Sequence, residues 1–197
     1  MESIIAEWYE IASLSMLNDG EITWWARREE PLAVMAFNSF ERKCDVDVRR
    51  VTKRRNADIK ILRRKNFIDG YAAGRASWGV ATGYKWKIEV VKEIEGYETE
   101  TAIIHEIGHA LGLHHPEVHH LNPDTMMSYR RNHKRKKWYK QDIVNLNEIY
   151  NPDWSDEITN PYVTSSVIDA DAVAQIKLHG PCQTSVDYIT GLNIHPH

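Results

Sequence analysis

Apolar residues recur along this chain with two periods, and the switches between them mark out its elements. Ile4, Ile5, Trp8, Ile11 and Ala12 fall at helical spacing with acids between them, which predicts an amphipathic N-terminal helix ending near Asn18-Asp19-Gly20. "EITWWAR" then alternates as a strand does. Pro31 opens "LAVMAFNSFERKC", a helix with proline in its first turn that is expected to bury Leu32, Met35, Ala36 and Phe40. "VDVRRV" and "ADIKIL" alternate apolar and polar residues as half-buried strands, with Asn56 in the turn between them. "YAAGRASWGVATG" is rich in glycine and alanine and reads as irregular or loosely extended, whereas "YKWKIEVV" alternates again and is closed by Gly96. A helix is expected from Thr99, as its N-cap, to Leu113. Another covers 139–150, "YKQDIVNLNEIY", turning Ile143, Leu146, Ile149 and Tyr150 inward and stopping at Asn151-Pro152. The order is strand, helix, three strands, helix, loop, helix, which describes an α+β domain over residues 20–151. Residues 1–19 form an N-terminal helical extension that caps the domain, oligomerises or enters its cleft. Residues 152–197 form a C-terminal extension in which "VIDADAVAQIKLHG" reads as a short helix or a strand pair.

Bulk properties narrow the class. At 197 residues the chain suffices for one domain with tails and buries a core without disulfide support. No apolar run approaches the roughly 18 residues that a membrane span needs. The opening "MESIIAEWYEIASLSML" has no basic n-region and is interrupted by Glu2, Glu7 and Glu10, so it does not read as a secretory signal. An intracellular or particle-associated protein is favoured over a secreted one. Cys44 and Cys182 are too few for a disulfide framework and fit a thiol pair or a single bridge equally well. The net charge of −3 conceals a segregation: residues 41–65 carry eleven Lys/Arg against four acids, and residues 130–140 carry seven with no acid. Solvated faces that pair with acids are the ordinary explanation, and a polyanion-binding surface is the sharper one.

The chemistry concentrates in "HEIGHALGLHH", residues 105–115, which holds four of the ten histidines. On a helix, His105 and His109 lie about 40° apart around the axis and about 6 Å along it, so their imidazoles can share one ion. Ile103, Ile107, Ala110 and Leu111 occupy the opposite stripe and bury the helix, leaving the histidines to face a cleft. Glu106 follows the first histidine directly, where its carboxylate reaches a water at the metal as a general base. Gly112 can take φ > 0 and reverse the chain, which swings His115 back to the same ion. Three neutral imidazoles around Zn²⁺ leave a fourth, open position. The full pattern H-E-x-x-H-x-x-G-x-x-H arises by accident in such a composition with odds on the order of 10⁻⁴. His114 is one residue out of register, and His119, His120 and His133 read as polar surface cover.

This pattern resembles that of the metzincin zinc endopeptidases, in which it is followed by a methionine-containing turn. Here the turn is "DTMMSY", residues 124–129, with Met127 as the best match for the methionine beneath the zinc and Met126 as the other register. Met-Ser-Tyr is similar to the turn of serralysins. In serralysins and astacins the tyrosine can approach the zinc or the transition state, so the resemblance implies that role for Tyr129. The short gap from His115 to the turn and the order of elements are similar to the matrixin catalytic domain, with "ADIKIL", "KIEV" as the edge strand over the cleft, and "DIVNLNEIYNP" as the closing helix. The implied fold is zincin-like: a twisted mixed β-sheet, an active-site helix and a C-terminal helix. Residues 66–92, where matrixins hold structural zinc and calcium, contain no histidine and one aspartate, Asp69, so neither ion is expected there in its usual form. No prodomain with a cysteine switch precedes the domain, and Cys182 in "HGPC" is an ordinary thiol or one that reaches a zinc.

The function implied is zinc-dependent endopeptidase activity. His105, His109 and His115 hold the ion, Glu106 is the base, and Tyr129 donates to the oxyanion. An extended substrate adds to the edge strand "KIEV". The competing class is a zinc-containing binding or assembly protein that uses its basic surface, 41–65 and 130–140, to hold nucleic acid or an acidic partner.

Overall fold

The computed structural model describes residues 12–65, 67, 72–79, 82, 85–91, 101–116, 124–128, 134–151 and 182–185. Residues 4–11 of the expected N-terminal helix, Gly96, Thr99, Tyr129, His119, His120 and His133 lie outside them, as does most of 152–197. Among the described residues, six strands form one mixed sheet: β1 (Glu21–Ala26), β2 (Asp47–Arg50), β3 (Ile59–Arg64), β4 (Ala72–Ser77), β5 (Trp86–Val91) and β6 (Cys182–Ser185), in the order β2-β1-β3-β5-β4-β6. The first three and β5 run parallel, β4 is antiparallel to β5, and β6 is antiparallel to β4. Helix α1 (Pro31–Cys44) follows β1, while α2 (Ala102–Ala110) and α3 (Lys140–Tyr150) follow β5.

Strand β1 buries Ile22, Trp24 and Ala26 on the helical side of the sheet. Thr23, between them, is also buried, and its amide donates to the Asp58 carboxylate at 2.9 Å while its hydroxyl accepts from the Asp58 amide at 3.1 Å. This exchange fixes the entry of β3 beside β1. In α1 the buried stripe is Ala33, Ala36, Phe37, Phe40 and Cys44. Ala36 and Phe40 are buried as expected, but Met35 is 51% exposed and Leu32 only half-buried, Ala33 and Phe37 taking their places. The cause is Phe37, whose ring stacks on Trp24 at 4.9 Å and rotates the helix toward β1.

Two strand assignments are sharpened or corrected. "YAAGRASW" is extended rather than irregular: β4 pairs with β5 through Gly74↔Val90, Arg75↔Glu89, Ala76↔Ile88 and Ser77↔Lys87. Ala73, Gly74 and Ala76 are small because α2 packs directly on this strand, and tertiary pairing overrides their low strand propensity. With β4 in place, "KIEV" is not an edge. Strand β5 lies between β3 and β4, with Ile88, Glu89 and Val90 all buried. Its buried acid, Glu89, is held by Arg64 and by Lys87 at 2.8 Å.

The expected closing helix is present as α3. Leu146 and Tyr150 are buried and Ile143 and Ile149 half-buried, and Asn151 ends the helix as its C-cap. Trp138, just before it, donates its indole N–H to the Ala36 carbonyl at 3.0 Å and ties this end of the chain to α1. At the other end, Ala12 and Met16 pack in the same core, and the Ser13 hydroxyl donates to the Ala110 carbonyl at 3.0 Å. Part of the basic run is paired with acids: Arg49 in β2 with Glu21 in β1, and Arg63 in β3 with buried Glu30 at the start of α1, at 2.6 Å. No helix among the described residues is long and apolar enough to cross a membrane.

Candidate metal centre

Helix α2 is the scaffold of the centre. It was expected to keep one face open to a cleft, but all nine of its residues are buried, His105, Glu106 and His109 included. The sheet covers one side through β4 and β5, α1 covers another, and the turn at 125–128 supplies further buried residues. The helix ends in a Schellman arrangement: the Leu113 amide donates to the Gly108 carbonyl at 2.9 Å and the Gly112 amide to the His109 carbonyl at 3.1 Å. Gly112 sits at φ +97°, the left-handed value that its place in the motif requires. The chain reverses there and brings His115 over the helix.

The three motif histidines converge as their spacing implies. The Nε2 of His115 lies 3.0 Å from the Nε2 of His105 and 3.1 Å from that of His109. Each helical imidazole is oriented from behind. His105 Nδ1 donates to the Met126 carbonyl at 2.8 Å, and His109 Nδ1 to the Leu113 carbonyl at 2.8 Å. A carbonyl only accepts, so both Nδ1 atoms carry the proton and both Nε2 lone pairs point to the shared centre. Nitrogens coordinating a tetrahedral Zn²⁺ at about 2.1 Å stand about 3.4 Å apart, close to the spacing found. The donor set therefore fits such an ion. Among the described residues, this triad is the group of histidine, cysteine or acidic side chains whose ligand atoms come within 4.8 Å of one another. His114 is exposed and takes no part in it.

The methionine turn lies beneath. Met127 is buried with its sulfur against Gly108, so close that a Cβ on Gly108 would stand 2.5 Å from Sδ. Met126 contributes through its backbone: its carbonyl receives His105, and its amide donates to Asp142 at 2.9 Å. Buried Asp142 also accepts from the Thr125 hydroxyl and, at 2.8 Å, from the Tyr139 amide at the start of α3. Burial raises the Asp142 carboxyl above its ordinary range, against the pull of these hydrogen bonds.

Three residues of the centre were missed in the sequence. Asp142 stands three places after Tyr139, the capping-box offset at a helix start, but a reading focused on α3 as an apolar stripe passes over it. Gly108 is a glycine inside a helix, which costs stability unless something packs on it. Gly74 adjoins Glu106: a Cβ there would lie 2.7 Å from both Cγ and Oε1 of the glutamate. Nothing local in "AAGRA" announces that contact.

Residues 73–151 match the family model described as Matrixin. A search among curated proteins finds no match. The matched stretch runs from β4 through α2, the methionine turn and α3, so every side chain that builds the centre falls within it. Residues 73–151 are thus similar to the matrixin catalytic domain, a family of zinc metalloproteases.

Proposed function

We propose that the protein is a zinc-dependent endopeptidase in which His105, His109 and His115 hold the ion and Glu106 is the general base. The observation that carries the reading is the convergence of three imidazoles, the His115 Nε2 lying 3.0 Å from that of His105 and 3.1 Å from that of His109, two of them with their tautomers fixed by backbone carbonyls. When bound there, Zn²⁺ supplies Lewis-acid polarisation of a carbonyl and makes a nearby water more acidic.

The remaining work belongs to the chain. Glu106 follows His105 on the same helix turn and is walled in by β4, so its carboxylate is positioned rather than solvated. It takes a proton from the attacking water and returns it to the departing amine nitrogen. Met126 and Leu113 hold the imidazoles in one orientation, so the ligand set does not rearrange during turnover. The peptide track is β4 rather than "KIEV", because β5 is paired on both sides and β4 flanks Glu106. Tyr129, two places beyond Met127, is proposed as the donor to the oxyanion.

Glu106→Gln tests the assignment. The variant is expected to bind one equivalent of zinc by metal analysis and to lose peptide cleavage by roughly 10²–10⁴-fold, since an amide cannot accept the proton. Turnover near the parent rate would overturn the role of Glu106.

A further inference from the structure

The strand that flanks Glu106 already carries a partner on its outer side. Strand β6, from the C-terminal segment, runs antiparallel along β4 with Ala72↔Ser185, Gly74↔Thr184, Arg75↔Gln183 and Ala76↔Cys182, and with an irregularity between Ala72 and Gly74. The pairing is therefore centred on Gly74, the residue whose missing side chain makes room for the glutamate. On its inner side β4 is taken up by β5. An extended peptide that adds to β4 beside Glu106 has the outer edge as its only route, and that edge is where 182–185 lies.

We infer that the C-terminal strand is a built-in competitor: it occupies the peptide track of β4 and must leave before a substrate can pair there. The inference rests on the proposed reading of β4 as that track. A four-residue strand joined by one edge is a weak contact. It nevertheless belongs to the same chain as β4, and a covalent connection of this kind holds a strand at an effective concentration in roughly the millimolar range. Weak pairing is then enough to compete with a dilute peptide. It is also weak enough to yield, so the block is graded rather than absolute. Because only the open fraction of molecules accepts substrate, removing the competitor is expected to raise kcat/KM about three- to tenfold.

The test uses the full-length, zinc-loaded chain and its double variant Gln183→Pro/Thr184→Pro. Proline donates no backbone hydrogen bond, and alternate residues of a strand face its neighbour, so substituting two consecutive positions breaks the pairing whichever one donates. Hydrogen exchange of the β4 amides reports the contact independently of activity. Protection in the parent of the amides among residues 74–76 that face away from β5, its loss in the variant, and a three- to tenfold gain in kcat/KM at unchanged thermal stability support the inference. A peptide spanning 179–188, added to the variant, should restore inhibition competitively. Absence of protection at those outward-facing amides in the parent overturns the inference, as does its loss without a gain in kcat/KM. If neither form cleaves any peptide, the peptidase reading fails by itself. The competitor then stands or falls on binding of a labelled extended peptide, measured by fluorescence anisotropy: tighter binding to the variant supports it, and equal binding overturns it.

Discussion

Gly74 and Glu106 share the space of a single methyl group: a Cβ at residue 74 would lie 2.7 Å from the glutamate's Cγ and Oε1. Glu106 is buried and Gly74 is held in a ladder with Val90, so neither neighbour has room to retreat. The contact is with the stem of the glutamate as well as with its tip. Gly74→Ala is therefore expected to turn the carboxylate away from the water that the proposed mechanism assigns to it. A displacement of about 1 Å costs on the order of 10²-fold in rate. The expected signature is a kcat lower by one to two orders of magnitude with zinc content unchanged, read by steady-state kinetics alongside metal analysis. Parent-like kcat would show that Glu106 tolerates the shift.

Asp142 supports the centre from a distance of two hydrogen bonds, through the Met126 amide and then the Met126 carbonyl on His105. Asp142→Ala leaves the Met126 and Tyr139 amides and the Thr125 hydroxyl without their acceptor in a buried setting. The expected cost is roughly 2–4 kcal/mol of stability. Because the turn also orients His105, zinc affinity should fall, roughly 10–100-fold as for other residues that orient a ligand. Chemical denaturation and a competitive zinc titration measure the two effects, and a stability loss with unchanged zinc affinity would disconnect Asp142 from the metal site.

Glu89 makes a prediction about acid. Burial raises its carboxyl, but the hydrogen bonds from Lys87 and Arg64 outweigh it and leave the group below its ordinary value of 4.5. A carboxyl depressed in the folded state stabilises the fold fully above the unfolded value, and that contribution is lost as pH falls through the folded one. Glu89→Gln should therefore flatten the pH dependence of the melting temperature below about pH 4.5. Both cations are partly solvated, so the loss at neutral pH should be modest, about 1 kcal/mol. An acid limb as steep in the variant as in the parent would assign the pH dependence to other carboxylates.

How much of this was legible in the sequence depended on how local each signal is. The clustering of the three histidines was readable because His105, His109, Gly112 and His115 lie within eleven residues, where helix geometry and one left-handed glycine bring them together. Strands β1, β2, β3 and β5 were readable from their alternation. Strand β4 was not, because alanine and glycine report the closeness of α2 rather than any preference for extended backbone. Without β4, "KIEV" reads as an edge. Phe37 was likewise passed over because its burial is set by Trp24, thirteen positions away on another element. Asp142 and Gly74 matter only through partners that no short window contains.

The ligand helix has nine residues and none of them faces solvent. A helix that short does not hold together in water by itself, since nucleation is unfavourable and isolated helices below about 12 residues are marginal. The coordinating geometry therefore exists only in molecules whose sheet and methionine turn are already assembled. An ion held by the three histidines would bind the assembled state in preference to the unfolded chain, so the two equilibria would be linked by mass action. Any substitution that loosens the β1–α1 core, far from the histidines, should appear as a weaker apparent affinity for the ion, and in this protein a zinc titration doubles as a measure of global stability.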